Sequence, residues 1–396
     1  MFQTICFTFI ATIFLLSCAG DKQREPLPQI DDGLKEELSE YLIQHYQSPG
    51  DYIVSKFKDH DIVFVGEYHR IKQNVELIQN IIPRLYENGV YNLGMEFACY
   101  ADQQKIDSLI TAQVYNEAVA REILFNNFVF WGYQEYADIF RAAWRLNRQL
   151  PEGPRRFRVV GLNATADWSH VKTEEDRDNP AVMKKVWSNG YSDEIMGKTV
   201  LKEFVEKGEK ALIFSGSHHA FTEYKQPIYD EENKKFVRFV EDRMGNLVYN
   251  VIGKRAITIF LHSPWVNENG YSKPYVYPVD GVIDALMPTL GPQYRCVGFD
   301  TKGGPFGSLQ GTTTLYKYGY DNFVLGNFCD GYIYQCPLSE YEGVTPIDGF
   351  VNMGNIAKAK AQSPNPWFKR PSVMLDDFNR AIAWDADIRR RFRRFH

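Results

Sequence analysis

The sequence predicts an α/β fold, a mainly parallel sheet flanked by helices, followed by an irregular C-terminal extension. Two observations carry that expectation. Short β-branched or aromatic runs alternate with longer segments of helical period, the rhythm of βαβ units. After His262 the texture changes to Gly, Pro and Tyr, as in Lys302-Gly303-Gly304-Pro305-Phe306-Gly307, and helical periodicity returns only over Val373–Arg391.

The expected strands are Asp61–Gly66, Tyr91–Glu96, Phe157–Leu162, Ala211–Gly216 and Ala256–His262. Between the first two, Val75, Ile78, Ile82 and Leu85 recur on one helical face, and Gly89 ends that helix. A second helix spans Gln134–Leu150, with Tyr136, Ile139, Phe140 and Ala143 on one side and Pro151 as its stop. A third, Val200–Lys207, stops at Gly208. In the extension, short strands are expected at Asn322–Gly326 and Tyr332–Gln335.

The chain opens with an uncharged stretch, apolar from Ile5 to Leu16, that closes on Leu15-Leu16-Ser17-Cys18. That run is shorter than the roughly 20 residues of a membrane-spanning helix and ends on small residues, the pattern of a signal peptide with a lipobox. Residues 1–17 are therefore expected to be removed, leaving Cys18 for lipidation. Residues 18–32, with Pro26 and Pro28, form a polar linker, 33–262 the α/β core, and 263–396 an extension that completes the fold. The implied location is a bacterial cell envelope, on a membrane through the lipid anchor. With 50 acidic against 45 basic side chains the chain is no general nucleic-acid binder. Its one basic block, Arg389–Arg394, reads as a solvated helix end. Of the remaining cysteines, Cys329 and Cys336 are near enough in sequence to pair across a bend, whereas Cys99 and Cys296 read as buried thiols.

Chemistry gathers at the strand ends, where ligands of open α/β sheets bind. The first strand exits into Gly66-Glu67-Tyr68-His69, the second ends on Glu96, the third reaches Asn163, and the fourth exits into Gly216-Ser217-His218-His219. Two Gly-x-x-His units at equivalent positions make a paired signal, and the glycines read as sharp turns beside a ligand. Glu67, His69, Glu96 and His219 are thus the expected catalytic set, and a plausible set of oxygen and nitrogen donors for a divalent ion such as zinc or manganese. Without a metal, a histidine would activate water and a glutamate would set its tautomer. His218, Asn163, Tyr133 and His262 are expected at the ligand-binding margin. No Gly-x-Ser-x-Gly elbow or His-Glu-x-x-His helix occurs, and Ser217 has no visible third partner.

These pieces resemble the haem-binding-uptake, or ChaN-like, lipoprotein family, grouped with the erythromycin esterases and the Tiki proteases by paired Gly-x-x-His motifs. The resemblance runs through Gly66–His69, Glu96, Gln104 with Asp107, Trp131 and Tyr133, Gly161-Leu162-Asn163 and Gly216–His219. It implies one of three chemistries: metal-dependent peptidase, metal-free esterase or haem carrier. The expected function is a hydrolase-like activity on a small molecule or peptide, metal-assisted. The alternatives are haem or iron-compound binding in iron uptake, for which Phe128, Phe130, Trp131, Tyr133 and Tyr136 offer an aromatic cluster, and a non-catalytic relic.

Lipid attachment at the lipobox has a direct test. Cys18→Ala should abolish labelling by a radioactive fatty acid and leave the signal peptide on the chain; equal labelling of mutant and wild type would refute anchoring at this position.

Overall fold

A computed structural model describes residues 26–396, so the expected signal peptide and the expected lipidation site, Cys18, lie outside the described residues. The strands are β1 Ile62–Glu67, β2 Asn92–Cys99, β3 Arg158–Asn163, β4 Ala211–Gly216, β5 Gln226–Asp230, β6 Lys235–Val240, β7 Ala256–Leu261, β8 Val297–Asp300 and β9 Gly331–Tyr334. Seven of them form one sheet in the order β3-β2-β4-β1-β7-β9-β8, parallel except for β8 against β9. The β5–β6 pair is a separate antiparallel hairpin.

Both faces of the sheet are covered, and the period-2 alternation of side chains sorts each strand between them. Val63 and Val65 of β1, Leu212 and Phe214 of β4, and Ile257 and Ile259 of β7 enter one core. Ile62, Phe64, Ala211, Ile213, Ala256 and Phe260 enter the other. The first core is roofed by helices Lys72–Glu87 and Gln134–Gln149, whose apolar faces follow the expected period, and by the C-terminal helix Leu375–Ala386 through Phe378 and Ile382. The second is roofed by helices Asp32–His45, Ser192–Val200 and Met244–Ile252, together with aromatic residues of the Gly/Pro/Tyr-rich part such as Phe299 and Phe328. Among the described residues no helix is long and apolar enough to cross a membrane.

Several local expectations are corrected. The third helix runs Ser192–Val200 and continues as a π-type turn over Leu201–Val205. Asn322–Gly326 is not a strand: it makes one isolated bridge, Gln310 to Val324, and leads into a short helix at Leu325–Phe328. The thiols of Cys99, Cys296, Cys329 and Cys336 are free. No bend joins Cys329 to Cys336, because the extended run of β9 lies between them, and Cys296 is exposed rather than buried. Arg391 is not simply solvated; it donates to the Tyr68 hydroxyl and stands 4.8 Å from that ring's centroid.

The two motif glycines are required for room, not for turn geometry, since neither has a positive φ. A Cβ on Gly66 would lie 2.4 Å from the Phe260 ring, and one on Gly216 would lie 2.6 Å from His69 Cε1. Gly66→Ala should therefore overpack the second core and cost about 1–3 kcal/mol, read as a lower midpoint of thermal unfolding; an unchanged midpoint would show that Phe260 moves aside freely.

Candidate functional site

β2, β4 and β1 are consecutive neighbours in the sheet, so their carboxyl ends deliver Glu96, the Gly216–His219 turn and Glu67 with His69 to one place. The pairing of β2 with β3 shifts register between Met95 and Cys99, a bulge of the kind that re-aims side chains, and Glu96 lies inside it. Gly216 N–H then donates to Glu96 Oε2 at 2.7 Å, which ties the ends of β2 and β4 together.

Two imidazoles flank that carboxylate. His219 Nε2 lies 3.4 Å and His69 Nε2 lies 4.0 Å from Glu96 Oε1. Each ring is backed at its other nitrogen by a carboxylate of its own: His219 Nδ1 by Asp193 Oδ1 at 2.7 Å, His69 Nδ1 by Glu67 Oε1 at 3.1 Å. An ionised carboxylate only accepts, so both Nδ1 atoms carry protons and both Nε2 atoms face the cleft.

Asp193 was not legible as a site residue. It sits in the first turn of helix Ser192–Val200, where an acidic side chain is ordinarily a response to the helix dipole. Here it is enclosed by partners: Met244 N–H donates to Oδ1 at 2.8 Å and Arg243 to Oδ2 at 2.9 Å. No motif spacing marks it, because the contact depends on the packing of that helix against Met244–Ile252.

The charges are set by opposition between burial and partners. Burial works against a charge on His219, but Asp193 and Glu96 outweigh it and hold the imidazolium up to about 10. Burial also works against the Glu96 carboxylate, and His219, His69 and the Gly216 amide outweigh it, taking it down to about 2. Asp193 is likewise desolvated, yet His219 and Arg243 keep it well below the usual carboxylate range. Glu67 goes the other way, raised by burial despite its contacts with His69 and Tyr136.

Glu67 is not placed as a ligand. Its side chain is 0% exposed, Tyr136 donates to Oε1 at 2.5 Å, and Oε2 has no partner. The Tyr136 hydroxyl also accepts the N–H of Arg70, a residue with φ of 74°, whose guanidinium lies 4.5 Å from the Trp131 ring centroid and takes Tyr133 as a partner. This buttress fixes the turn that carries His69. Tyr133, expected at the ligand margin, is fully buried and spends its hydroxyl on Arg70 and the Ile382 carbonyl. His262 is also removed from the cleft: it is 0% exposed and held between Tyr332 and Asp284. His218 bonds Tyr316 through Nε2, and burial and Arg243 lower its pKa to about 3, which keeps it neutral. Asn163 borders the cleft, bonded to Asn127 and Ser192.

Two cavities open on either side of the histidine pair. One, of about 640 Å³, has Phe97, Phe128, Trp131, Trp168 and Trp187 in its lining. The other, of about 790 Å³, has Tyr68, Tyr271, Tyr275, Tyr316 and Trp265. Neither is plugged by apolar side chains in the way a purely relic site would be. Among the described residues, no three His, Cys, Asp or Glu side chains are disposed to hold a metal ion. Of the expected set of Glu67, His69, Glu96 and His219, Glu67 is enclosed and not placed as a ligand. Haem is a better match to what is present: an aromatic slot and an accessible imidazole, His69, 32% exposed and backed by a carboxylate.

No curated protein matches this chain. In solved structures the chain is similar to a succinoglycan biosynthesis protein, at 12% identity over 80% of this chain and 99% of that one, with a TM-score of 0.51. It is similar to a Bacillus cereus protein at 12% identity over 79% and 98%, with a TM-score of 0.49. ChaN of Campylobacter jejuni, described with cofacial haem, matches at 12% identity over 56% and 88%, with a TM-score of 0.33. At such identities the first of these shows the shared fold and nothing finer. Residues 53–175, which carry Glu67, His69, Glu96 and Asn163, match the model of a family described as haem-binding uptake, Tiki superfamily, ChaN.

Proposed function

We propose that the cleft hydrolyses an ester- or amide-type linkage in a small molecule or peptide by acid–base activation of water. The observation that supports this most is the position of the Glu96 carboxylate between two imidazoles, each backed by its own carboxylate. Acid and base are separated by environment. His69, with Nδ1 bound to Glu67, offers Nε2 to a water and takes its proton as hydroxide adds to the carbonyl carbon. His219, kept charged by Asp193 and Glu96, faces the oxygen on which negative charge grows and returns a proton to the leaving group. Glu96 is too weak a base at neutral pH to compete and instead faces the protonated Nε2 of His219.

Haem binding is the second reading, favoured by the family match and by the aromatic slot beside His69. His69, Phe97 and Trp131 would hold it. Bound haem would supply iron for carriage or redox chemistry, and the protein's part would be to orient His69 through Glu67. Both readings are compatible with a tether at Cys18, a proposal supported by the lipobox and the polar spacer alone.

Two variants test the hydrolytic mechanism. Glu96→Gln and His219→Ala should each lower kcat on aryl esters by about 10²–10⁴-fold; each also removes a member of a buried charged network and lowers the unfolding midpoint, so turnover is read at a temperature where both variants are folded. Retained turnover in His219→Ala would overturn the assignment. In a parallel titration with haem, a Soret band that is lost in His69→Ala, with no esterase activity in the wild type, would select the second reading.

The charge on His219 gives a pH signature. Its folded pKa is raised from 6.5 to about 10, so the acid form persists well above neutrality and the stabilisation it brings is lost as pH rises toward 10. Asp193→Asn removes the nearest anion and should move the alkaline limb of the kcat/KM profile to lower pH. A limb that stays in place would mean that His219 is not the acid.

A further inference from the structure

The basic block near the C-terminus has a geometry that solvation alone does not explain. Five arginines and two aspartates fall between Trp384 and Arg394, in a chain whose net charge is −5. Ile388, Phe392 and Phe395 recur at helical spacing, turn inward and join Tyr277 in a small buried cluster. Their neighbours Arg389 and Arg393 are thereby turned outward: both are exposed, and neither has a partner among the described residues.

The preceding helix continues that face. Arg380 and Trp384 lie one turn apart on Leu375–Ala386, both exposed, the tryptophan to 54%. Arg390 joins the two stretches, since its guanidinium stands 3.6 Å from the Trp384 ring centroid and donates to the Trp384 carbonyl. The nearby acids are engaged, Asp385 by Arg70 and Asp387 by Arg390, while Asp376 and Asp377 lie at the opposite end of the helix. An amphipathic indole beside uncompensated guanidiniums is the chemistry that meets anionic headgroups at a bilayer surface.

A second observation gives the direction. Leu27 packs on the same cluster of Ile388, Phe392 and Phe395, and Cys18, the proposed site of lipid attachment, is nine positions earlier. Nine residues span at most about 30 Å, so a tether at Cys18 keeps this end of the fold within reach of the bilayer. Arg391 on the same short helix reaches Tyr68, just after β1, so the face belongs to the carboxyl edge of the sheet, the edge that carries the cleft.

We propose that the face formed by Arg380, Trp384, Arg389 and Arg393 is a docking surface for an anionic phospholipid bilayer. Its charge and exposure rest on the structure; only the tether rests on the reading of Cys18.

Vesicle flotation of the full chain carrying Cys18→Ala, so that no acyl chain contributes, tests it on equimolar phosphatidylglycerol and phosphatidylcholine against phosphatidylcholine alone. Partition should be at least about 10-fold stronger on the anionic vesicles and should fall with added sodium chloride. Uptake through the apolar residues 5–16 is common to both vesicles and cancels in the comparison. Arg389→Glu with Arg393→Glu should abolish the difference. Lys58→Glu with Lys254→Glu alters the net charge equally from exposed positions at the amino edge of the sheet and should retain most of it. Independently, brominated phosphatidylcholine in the anionic vesicles should quench tryptophan emission, and Trp384→Phe should remove most of that quenching, a reading that holds should the charge reversal disturb the fold. No preference for phosphatidylglycerol, a lysine pair as damaging as the arginine pair, or quenching unaltered in Trp384→Phe overturns the proposal. Self-association that is lost in the arginine pair, without vesicle binding, assigns the face to a second copy of the chain and overturns it as well. Fatty-acid labelling at Cys18 decides the tether separately, and its failure leaves the docking surface standing.

Discussion

The hydrogen bond from Gly216 N–H to Glu96 Oε2 is the constraint on which the rest of the site depends. It joins the ends of two neighbouring strands, and it leaves Oε1 free to face His219 and His69. A carboxylate in that position, desolvated and without its imidazole and amide partners, would be under strong pressure to protonate. With the amide and two imidazoles it remains charged, and its charge in turn organises them. The requirement for glycine follows from the same contact, because a Cβ at 216 would displace the His69 ring that the carboxylate needs beside it.

The two dyads are built to different specifications. Asp193 takes three donors and sits beside an arginine, so it stays ionised and pins a proton on His219. Glu67 has one oxygen with two donors and one with none, in full burial, so burial dominates its titration. A firmly held anion thus stands behind one histidine and a softer one behind the other, which gives a symmetric-looking pair two different electrostatic environments. The asymmetry originates in the fold: Asp193 is reached from helix Ser192–Val200 and backed by helix Met244–Ile252, whereas Glu67 is a strand residue facing the core through Tyr136.

Much of this was legible in the sequence wherever the signal was local. Period-2 runs locate β1, β4 and β7, and a strand's end is the position where a polar residue after an apolar run has meaning, so Glu67, His69, Glu96 and His219 stand out. Asp193 did not, because an acidic residue in a first helical turn has an ordinary explanation and its partners lie 26 and 50 residues away. Tyr133 and His262 misled for the complementary reason. Both flank elements that end near the cleft, but Arg70 draws the Tyr133 hydroxyl inward, and Asp284 with Tyr332 draws His262 into the interior. Direction across a sheet end is a tertiary property, and one-dimensional spacing does not fix it.

The C-terminal part bears on specificity in a way that the family match does not reach. The matched segment, 53–175, supplies Glu67, His69, Glu96 and most of the aromatic wall. His219 and Asp193 lie beyond it, as does most of the tyrosine-lined cavity, including Trp265, Tyr271, Tyr275 and Tyr316. That later part is not an appendage, since β8 and β9 extend the same sheet and Phe328 packs on Phe260 in the second core. Half of the charged pair and nearly the whole of one binding face are therefore contributed by sequence outside the shared region. The strand-end motif within 53–175 holds a carboxylate and an imidazole in place, while the second imidazole, its Asp193 partner and most of the tyrosine-lined cavity are supplied by sequence beyond it.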